Sequence, residues 1–551
     1  MLTYKRNLIV YSVLLFIFYL SWVSLNPRNI FWSLDEGGKY IYLQSILKTE
    51  KLNTELIYPA RKIDPNLQYI PLFYFIRKGD AIYSWWPIAL PLVSLLFYKI
   101  FGWLGLFILP AGAGALVAGM TGYLAQKLTS SMKVGIITVL ITGIATPIAF
   151  YSTRFWEHTL SVAGVIGALI GILDADEVGN KYSAVLAGVS ASLAIYFRLE
   201  VSIILAACIL VFFLRRPNLA FITALTSVLV SIPWVALNLW TMGYPFSPTL
   251  NKLIDAEAYA GWQQAGIKLF AYILFNPPRA DCFILPHLTM GIAIFSLILG
   301  LLLAFFPKLR MFSATSLGVT IAICAWVVYQ PSWYQAVHGA ILVAPQVLFG
   351  IYYLLNRNAW KQTMFPAILL ISICLYGAVY LWRAWIGAGG LQWGPRYLLA
   401  FYPFLIVAGV VELYSTYKLG EFRLYSILLI IFGFACIVGL SFSLRGLWTA
   451  HRLTEYYERS KVYIYNLDAP IDIEWQGYVM DVPDLYLSGK VVTIPTSNLL
   501  RNQWEAYIKK IGYDHYFSVY LLTVDNAPLE IIAERLLENP SGILLKRIDL
   551  K

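Results

Sequence analysis

The residues of this sequence best suited to acid–base chemistry are Asp35 and Glu36, two adjacent carboxylates that follow the first long apolar run. A carboxylate held by its neighbours can act as a general base toward a hydroxyl or an amine. The pair stands in the stretch FWSLDEGGKYIYLQ, where two glycines and a helix-like segment come next. Two plainer roles also fit, because Asp35 can cap that helix and Glu36 can be a solvated acid favoured by the helix dipole.

Further ionisable residues stand at the ends of later apolar runs, namely Arg154, Glu157, His158, Arg198, Glu200, Arg383 and Arg396. An ionisable side chain beside hydrocarbon is costly, so it usually faces a cavity or a charged partner. Arginine also offers planar, permanently charged donors for phosphate oxygens. The set therefore suits a site where a phosphate-containing ligand is held beside a base.

Each of these groups also has a purely structural interpretation. Arg154 and Glu157 suit an ion pair that closes a loop, and Arg198 and Glu200 suit a buried ion pair. Glu157 and His158 could together bind a metal, but two adjacent ligands are a weak signal.

A glycine-rich segment, residues 387–397, contains four glycines and ends in Trp393, Arg396 and Tyr397. This composition favours a loop of defined shape that presents Arg396. A plain turn whose arginine snorkels toward water is the alternative.

The composition indicates a membrane protein. Of the 551 residues, 59% are hydrophobic and only 13% are charged, whereas about a quarter of a soluble domain is charged. Apolar runs long enough to cross a bilayer recur along the chain. The net charge of +11 comes largely from short loops between these runs, where basic residues set orientation, so we expect no nucleic-acid partner. Five scattered cysteines without a CxxC spacing indicate neither a disulfide framework nor a zinc site.

The positions of the basic residues predict thirteen spans with a cytoplasmic start and an external end. Lys5 and Arg6 keep the N-terminus in the cytoplasm, and nearly every inner loop carries Lys or Arg. The sixth span has only about 14 apolar residues where roughly 20 are needed, so Arg198 and Glu200 should sit below the outer surface. The predicted spans are 8–25, 104–126, 134–151, 159–173, 182–197, 201–214, 218–240, 286–306, 311–329, 338–355, 363–382, 397–415 and 424–443.

Two regions are predicted outside the membrane. The first external loop, 26–103, should contain interfacial helices, one around Tyr40 to Leu47 lying along the membrane surface and one within Trp85 to Gly102. Residues 445–551 should form a small external α/β domain, with residues 1–444 as the transmembrane domain. Its strands are expected at 462–465, 491–494, 517–524 and 543–548, and its helices at 498–511 and 528–538.

These features resemble the GT-C integral membrane glycosyltransferases. The acidic pair after the first span, the interfacial helices and the external C-terminal domain are similar to the branch of the protein O-mannosyltransferases and the bacterial lipid A aminoarabinose transferase. SLDEGGKYIYLQSIL resembles the first-loop acidic motif of that family, and YSTRFWEHTL and WGPRYLLAFYPFL resemble segments of its bacterial members. The C-terminal segment does not resemble the sugar-binding modules of the eukaryotic enzymes, which leaves the acceptor open.

The resemblance implies a polyprenyl-phosphate-linked sugar donor and inverting transfer to a lipid, glycan or protein acceptor at the external face. Asp35 would then be the general base, and Arg396, with Arg198 or Arg154, would hold the donor phosphate. Glu157 and His158 would orient acceptor or sugar. We also assign Glu36, Glu200, Trp393 and Tyr397 to substrate binding. No cofactor motif is present, and a divalent metal stays open because metal dependence differs within the superfamily.

Two other classes remain as alternatives, a lipid or polysaccharide transporter and a structural membrane subunit. A transporter would more naturally carry ionisable residues at broken helices near the midplane. A structural subunit would need no base at position 35. The sequence lacks an endoplasmic-reticulum retention signal, which favours a bacterial inner membrane with an outward-facing site.

Overall fold

The computed structural model describes residues 2–52, 55–72, 75–243, 245, 286–329, 339–356, 359–382, 393–473, 476–494, 498–521 and 543–550. Arg383 and the predicted helix 528–538 lie outside these residues. Most of the described chain is helical. The α-helices of the first 465 residues are Leu2–Ser24, Leu34–Thr49, Ala89–Phe101, Gly105–Thr129, Met132–Ile144, Ile148–Ser152, His158–Val178, Lys181–Phe197, Ser202–Arg215, Pro217–Met242, Pro286–Ala304, Arg310–Tyr329, Ala340–Val343, Leu348–Leu354, Ala359–Gln362, Phe365–Trp382, Phe401–Lys418 and Phe422–Tyr465.

The chain is a helical integral membrane protein. Within the described residues, five helical stretches are long and apolar enough to cross a membrane, namely Asn7–Ser24, Ala89–Thr129, His158–Val178, Pro217–Thr241 and Phe422–Val462. Each of the thirteen segments predicted from the sequence contains helical structure. The number of thirteen membrane-crossing spans stays a prediction.

Two of the predicted spans are broken rather than continuous. The predicted span 134–151 breaks between Ile144 and Ile148, and the predicted span 338–355 breaks around Ala344. Pro147 and Pro345 stand at the breaks, where proline removes a backbone donor. The two breaks bond to each other, because the side chain of Gln346 donates to the carbonyl oxygen of Ala145 at 2.5 Å. The free carbonyl of Ala145 at the first break thus finds a donor inside the protein, as backbone groups at membrane depth require.

The first external loop contains both predicted helices, Leu34–Thr49 and Ala89–Phe101, and a sheet that was not predicted. The Leu34–Thr49 helix, called the first-loop helix below, is buried on opposite faces, including Gly37, Lys39 and Leu43. It therefore packs against other parts of the protein, and its position along the membrane surface stays a prediction. The sheet is antiparallel with Ala81–Ser84 in the centre, and its strands are Glu55–Leu56, Phe75–Lys78 and Ala81–Ser84.

The C-terminal segment forms a four-stranded mixed sheet with three helices. The predicted strands near 491, 517 and 543 and the helix at 498 are observed, whereas the strand predicted at 462–465 is wrong. Those residues end a 44-residue helix that begins at Phe422 and continues through the boundary predicted at residue 444. In sheet order the strands are Val491–Val492, Ile471–Ile473, His515–Leu521 and Ile543–Asp549, and the helices are Gln476–Asp481, Pro483–Leu487 and Asn498–Lys510.

The C-terminal segment packs directly on the first external loop. The backbone N–H of Phe31 donates to the carbonyl of Asp481 at 2.8 Å, and the indole N–H of Trp504 donates to the carbonyl of Ile63 at 3.0 Å. The backbone of Met480 lies so close to Gly37 that a Cβ there would overlap it. The two segments therefore support the first-loop helix together.

Candidate functional site

The site begins at the first turn of the first-loop helix, which carries Asp35. Its Oδ2 accepts a hydrogen bond from Arg396 at 2.7 Å, and its Oδ1 accepts one from the indole of Trp86 at 3.1 Å. Trp86 reaches this position because its ring lies against Gly38, where a Cβ would overlap it. Both carboxylate oxygens of Asp35 thus bind side chains from other elements, so the helix-capping interpretation does not describe its contacts.

Asp35 is held in its ionised form. Burial raises its pKa, but the charges of Arg396 and Lys39 and the hydrogen bonds from Trp86 and Arg396 outweigh burial and bring the pKa below its usual value. The carboxylate is 23% exposed and the guanidinium of Arg396 is 12% exposed. Asp35 is therefore a charged acceptor at the rim of the site.

A second carboxylate, Glu157, lies deeper and joins two cations. Its Oε2 accepts from Lys39 Nζ at 2.5 Å and its Oε1 accepts from Arg198 at 3.0 Å. Burial raises the pKa of Glu157, but the charges of Lys39 and Arg198 outweigh it and lower the pKa. Arg198 also donates to Glu200 at 2.5 Å. The predicted Arg198–Glu200 pair is thus present as part of a larger network, and the predicted Arg154–Glu157 loop pair is wrong.

The third carboxylate, Glu36, is 1% exposed, so its interpretation as a solvated acid is wrong. Its Oε1 accepts from the backbone N–H of Phe155 at 2.7 Å. Burial raises the pKa of Glu36, and the nearby charge of Arg154 opposes that rise. Burial also lowers the pKa of Arg154 to about 10. The hydrogen bond from Phe155 to Glu36 therefore fixes the loop between the helices that end at Ser152 and begin at His158.

Aromatic rings connect the charged groups. The guanidinium groups of Arg198 and Arg396 each lie 5.2 Å from the centroid of the Tyr397 ring. The guanidinium of Arg396 lies 5.5 Å from the Trp156 ring. Stacking of this kind suits arginine better than lysine. The two arginines are thus gathered around one phenol at the rim of the site.

The loop that carries Arg396 is anchored at the two helix breaks. Gly394 has a φ of +74°, which favours glycine, and a Cβ there would press on Pro147 and Val343. Its carbonyl accepts from the Tyr151 hydroxyl at 3.2 Å. Trp393 is buried and donates its indole N–H to the carbonyl of Phe442 at 3.0 Å. Trp393 therefore holds the loop, and its assignment to substrate binding stays a prediction.

His158 lies in the same layer of rings as Trp156. It stacks on Tyr151 with centroids 5.1 Å apart, and it is 3% exposed. Neither of its ring nitrogens has a hydrogen-bond partner among the described residues. Its pairing with Glu157 as metal ligands finds no support, because Glu157 binds two cations instead.

Three residues of the site were missed by sequence reasoning. Lys39 binds Glu157, and Trp86 binds Asp35. Lys39 could have been found from the sequence, because it follows Asp35 by one helical turn. Asp481 comes from the C-terminal segment, where burial, with the charges of Glu36 and Asp35, raises its pKa well above the usual value. No local pattern in the sequence connects Asp481 with the acidic pair.

Within the described residues, no group of three or more His, Cys, Asp and Glu side chains is arranged to hold a metal ion. The acidic side chains at the rim bind arginine or tryptophan instead. Asp35 and Glu200 each accept a bond from an arginine. The arrangement is that of a site with paired charges, in which an anionic ligand would compete with carboxylates for the arginines.

No protein-family model matches this sequence, and no curated protein matches it. The fold is similar to two crystal structures of ArnT from Cupriavidus metallidurans, one bound to undecaprenyl phosphate and one in the apo state. Each match covers 97% of this chain and 95% of the other chain with a TM-score of 0.41, at 12% and 13% sequence identity. ArnT, a lipid A aminoarabinose transferase, comes from the branch that the sequence resembles. Because both similarities are low, we derive the function from the residues of this chain.

Proposed function

We propose that this protein transfers a sugar from a polyprenyl-phosphate-linked donor to an acceptor at the external face of the membrane, with inversion at the anomeric carbon. Asp35 is the general base in this proposal. The observation that carries it is the contact between Asp35 and Arg396 at the rim of the site, at 2.7 Å. It joins an ionised carboxylate to a cation that suits phosphate.

In the proposed reaction, the acceptor hydroxyl or amine attacks the anomeric carbon from the face opposite the phosphate. Asp35 takes the proton of the acceptor as the new bond forms. The bond between the anomeric carbon and the phosphate oxygen breaks, and its electron pair leaves with the polyprenyl phosphate. Arg396 and Arg198 stabilise the charge that develops on this leaving group.

The pairing of charges favours one place for the donor phosphate. Lys39, Arg198 and Arg396 all have carboxylate partners, so an incoming phosphate would compete with a carboxylate for each of them. The Asp35–Arg396 pair is the more accessible choice, since Lys39 and Glu157 are only 3% and 4% exposed. When phosphate takes Arg396, Asp35 loses the largest charge that weakens it as a base. Donor binding thereby activates the base.

The experiment that tests the proposal is transfer of label from a radiolabelled polyprenyl-phosphate sugar, with purified protein and a crude membrane extract as acceptor. Asp35→Asn is measured beside wild type, because the amide keeps an oxygen for Arg396 but cannot take a proton. We expect at least a hundredfold loss, in line with the contribution of a general base of about 10² to 10⁴. Full activity in a folded Asp35→Asn protein would exclude this role.

The transporter alternative is disfavoured by the helix breaks. They meet inside the bundle, as a transporter site would, but residues 144–148 and 343–348 contain no ionisable side chain. Gln346 fills one break by bonding to the other. Binding of donor lipids without any transfer of label, followed by lipid translocation in vesicles, would nevertheless replace the transferase proposal with a transporter.

A further inference from the structure

A second feature of the site is a cluster of four aromatic side chains, Trp32, Tyr151, Trp156 and His158, called the ring cluster below. Trp156 lies 5.8 Å from Trp32, 5.3 Å from Tyr151 and 5.2 Å from His158, measured between ring centroids. All four side chains are at most 3% exposed. They bring together the segment before the first-loop helix, the Ile148–Ser152 helix and the turn before the His158–Val178 helix.

The ring cluster contains four nitrogen atoms without a hydrogen-bond partner among the described residues. They are the indole nitrogens of Trp32 and Trp156 and both ring nitrogens of His158. A buried polar group left unpaired costs about 1 to 3 kcal/mol, and native proteins pair roughly nine in ten of them. Four such atoms in contacting rings therefore require an explanation, for which water or a ligand are the usual candidates.

Other indoles of the chain provide a comparison for the ring cluster. Trp86, Trp393 and Trp504 donate to acceptors of the protein at 3.0 to 3.1 Å. Trp22 and Trp103 also have unpartnered indole nitrogens in the described part of the chain. The described rings that contact these two indoles, however, carry no unpartnered nitrogen themselves. Among the rings of the described residues, unpartnered nitrogens from several side chains converge only in the ring cluster.

The chemistry of the ring cluster selects an uncharged, hydroxylated ligand. Indole N–H groups donate, and a neutral imidazole both donates and accepts, which suits a set of hydroxyl groups. The ring faces supply the apolar surface that ligand sites combine with a few polar groups. None of the four side chains of the ring cluster carries a negative charge, so a protonated amino group would lack a counter-ion there.

We propose that the ring cluster is the subsite for the uncharged sugar ring of the donor, a proposal that rests on the proposed function. The guanidinium of Arg396 covers it, lying over the ring of Trp156. When the donor phosphate draws Arg396 away from Trp156, the buried rings open to the sugar that is attached to that phosphate. The hydroxyl groups of the sugar then pair with the indole N–H groups and with His158.

The test compares two lipids on full-length protein in nanodiscs, sugar-free polyprenyl phosphate and polyprenyl phosphate linked to glucose, galactose or mannose. The quantity measured is the ratio of the Kd of the sugar-free lipid to that of the tightest sugar lipid. We expect His158→Phe, which keeps an aromatic ring but removes both nitrogens, to lower this ratio about tenfold. The Kd of the sugar-free lipid should not change.

Two further variants keep the test decisive. Trp156→Phe retains a ring beneath Arg396 and should also lower the ratio, so the proposal does not depend on the folding of one variant. Trp103→Phe is the matched control, because it removes an unpartnered indole N–H outside the ring cluster, and its ratio should equal that of wild type. Thermal unfolding establishes that each variant is folded.

The outcomes separate this proposal from the proposed function. The subsite alone is overturned if wild type binds the sugar-free lipid but its Kd ratio is near one. The same holds if both ring-cluster variants keep the Kd ratio of wild type. Tighter binding of a polyprenyl-phosphate amino sugar than of all three hexose lipids overturns the uncharged class. Failure of wild type to bind either kind of lipid overturns the proposed function.

Discussion

The Asp35–Arg396 pair and the Lys39–Glu157–Arg198 network belong to one site, yet they differ in their contact with water. Asp35 and Arg396 are 23% and 12% exposed, whereas Glu157 and Lys39 are 4% and 3% exposed and Arg198, at 16%, connects this buried pair to the rim. Breaking a buried pair leaves a desolvated charge, which is far more costly than breaking a pair that water can reach. We infer that the rim pair is exchanged during function and that the buried network is fixed.

This difference assigns separate tasks to charges of the same type. The buried network joins the first-loop helix, the turn before His158 and the turn at Arg198, so it sets the positions of the elements. The rim pair joins the same helix to the loop that carries Arg396, and it remains accessible to a ligand. Substitutions in the buried network should therefore lower stability. Substitutions in the rim pair should lower activity in a folded protein.

The largest expected effect is that of Glu157→Gln on stability. Removing one partner of a buried pair costs about 3 to 5 kcal/mol, because the remaining cation is left desolvated and unpaired. Lys39 would then lack its carboxylate, whereas Arg198 would keep Glu200. Thermal unfolding in detergent should show a clear decrease of the midpoint.

Glu200→Gln is the matched control for this prediction, since Glu200 is 20% exposed and its partner Arg198 also binds Glu157. We expect a loss of at most about 1 kcal/mol. Equal midpoints for the two variants would mean that burial does not distinguish the network from the rim.

The second prediction concerns Arg396→Lys, which keeps a positive charge but loses the planar guanidinium that stacks on Trp156 and Tyr397. We expect transfer to fall about tenfold to a hundredfold, because lysine does not replace arginine at a stacked site that binds phosphate. Stability should change little. The measurement is kcat/KM for the radiolabelled donor lipid.

Arg501→Lys provides the control, because Arg501 forms an arginine–aspartate contact of similar length, 3.0 Å to Asp472, in the C-terminal segment. Its transfer rate should equal that of wild type. An equal loss in both variants would indicate a general effect of arginine replacement rather than a function of the rim pair.

Part of this architecture could be predicted from the sequence. Basic residues in short loops and the lengths of the apolar runs indicated the helical segments, because orientation and bilayer thickness act on composition directly. The same reasoning put Asp35 and Arg396 on one side of the membrane. It could not pair them, since pairing depends on how Gly38 admits Trp86 and how Gly394 turns between Pro147 and Val343.

Other features required the tertiary structure. Pro147 and Pro345 were visible signals for the two broken helices, but continuous spans were predicted because hydrophobicity dominated both segments. Asp481 approaches the acidic pair only because the C-terminal segment packs on the first external loop, an arrangement that no periodicity indicates. The helix through residue 444 likewise follows from packing, since its second half contacts the C-terminal helices, with Tyr457 against Tyr478 and Lys461 bonded to Asp484.

The smallest expected effect is a shift in pH dependence, and it tests the rim pair most specifically. In the proposed reaction Asp35 must be ionised, so the rate of transfer should fall as the pH drops below the pKa of this residue. Arg396 is the largest of the charges that lower this pKa, and Lys39, which faces Asp35 on the same helix, is the second. In Arg396→Gln the largest of these charges is removed, so the acid limb of kcat/KM should move to higher pH.

Wild type should show the same displacement between its two profiles. Its kcat/KM reports the free enzyme, in which Arg396 binds Asp35, and its kcat reports the donor complex, in which the proposed function has phosphate bound to Arg396 instead. The acid limb of kcat should therefore lie at higher pH than that of kcat/KM, and the difference should vanish in Arg396→Gln. Superimposable limbs in wild type would mean that Arg396 stays on Asp35 during turnover and that the rim pair is as fixed as the buried network.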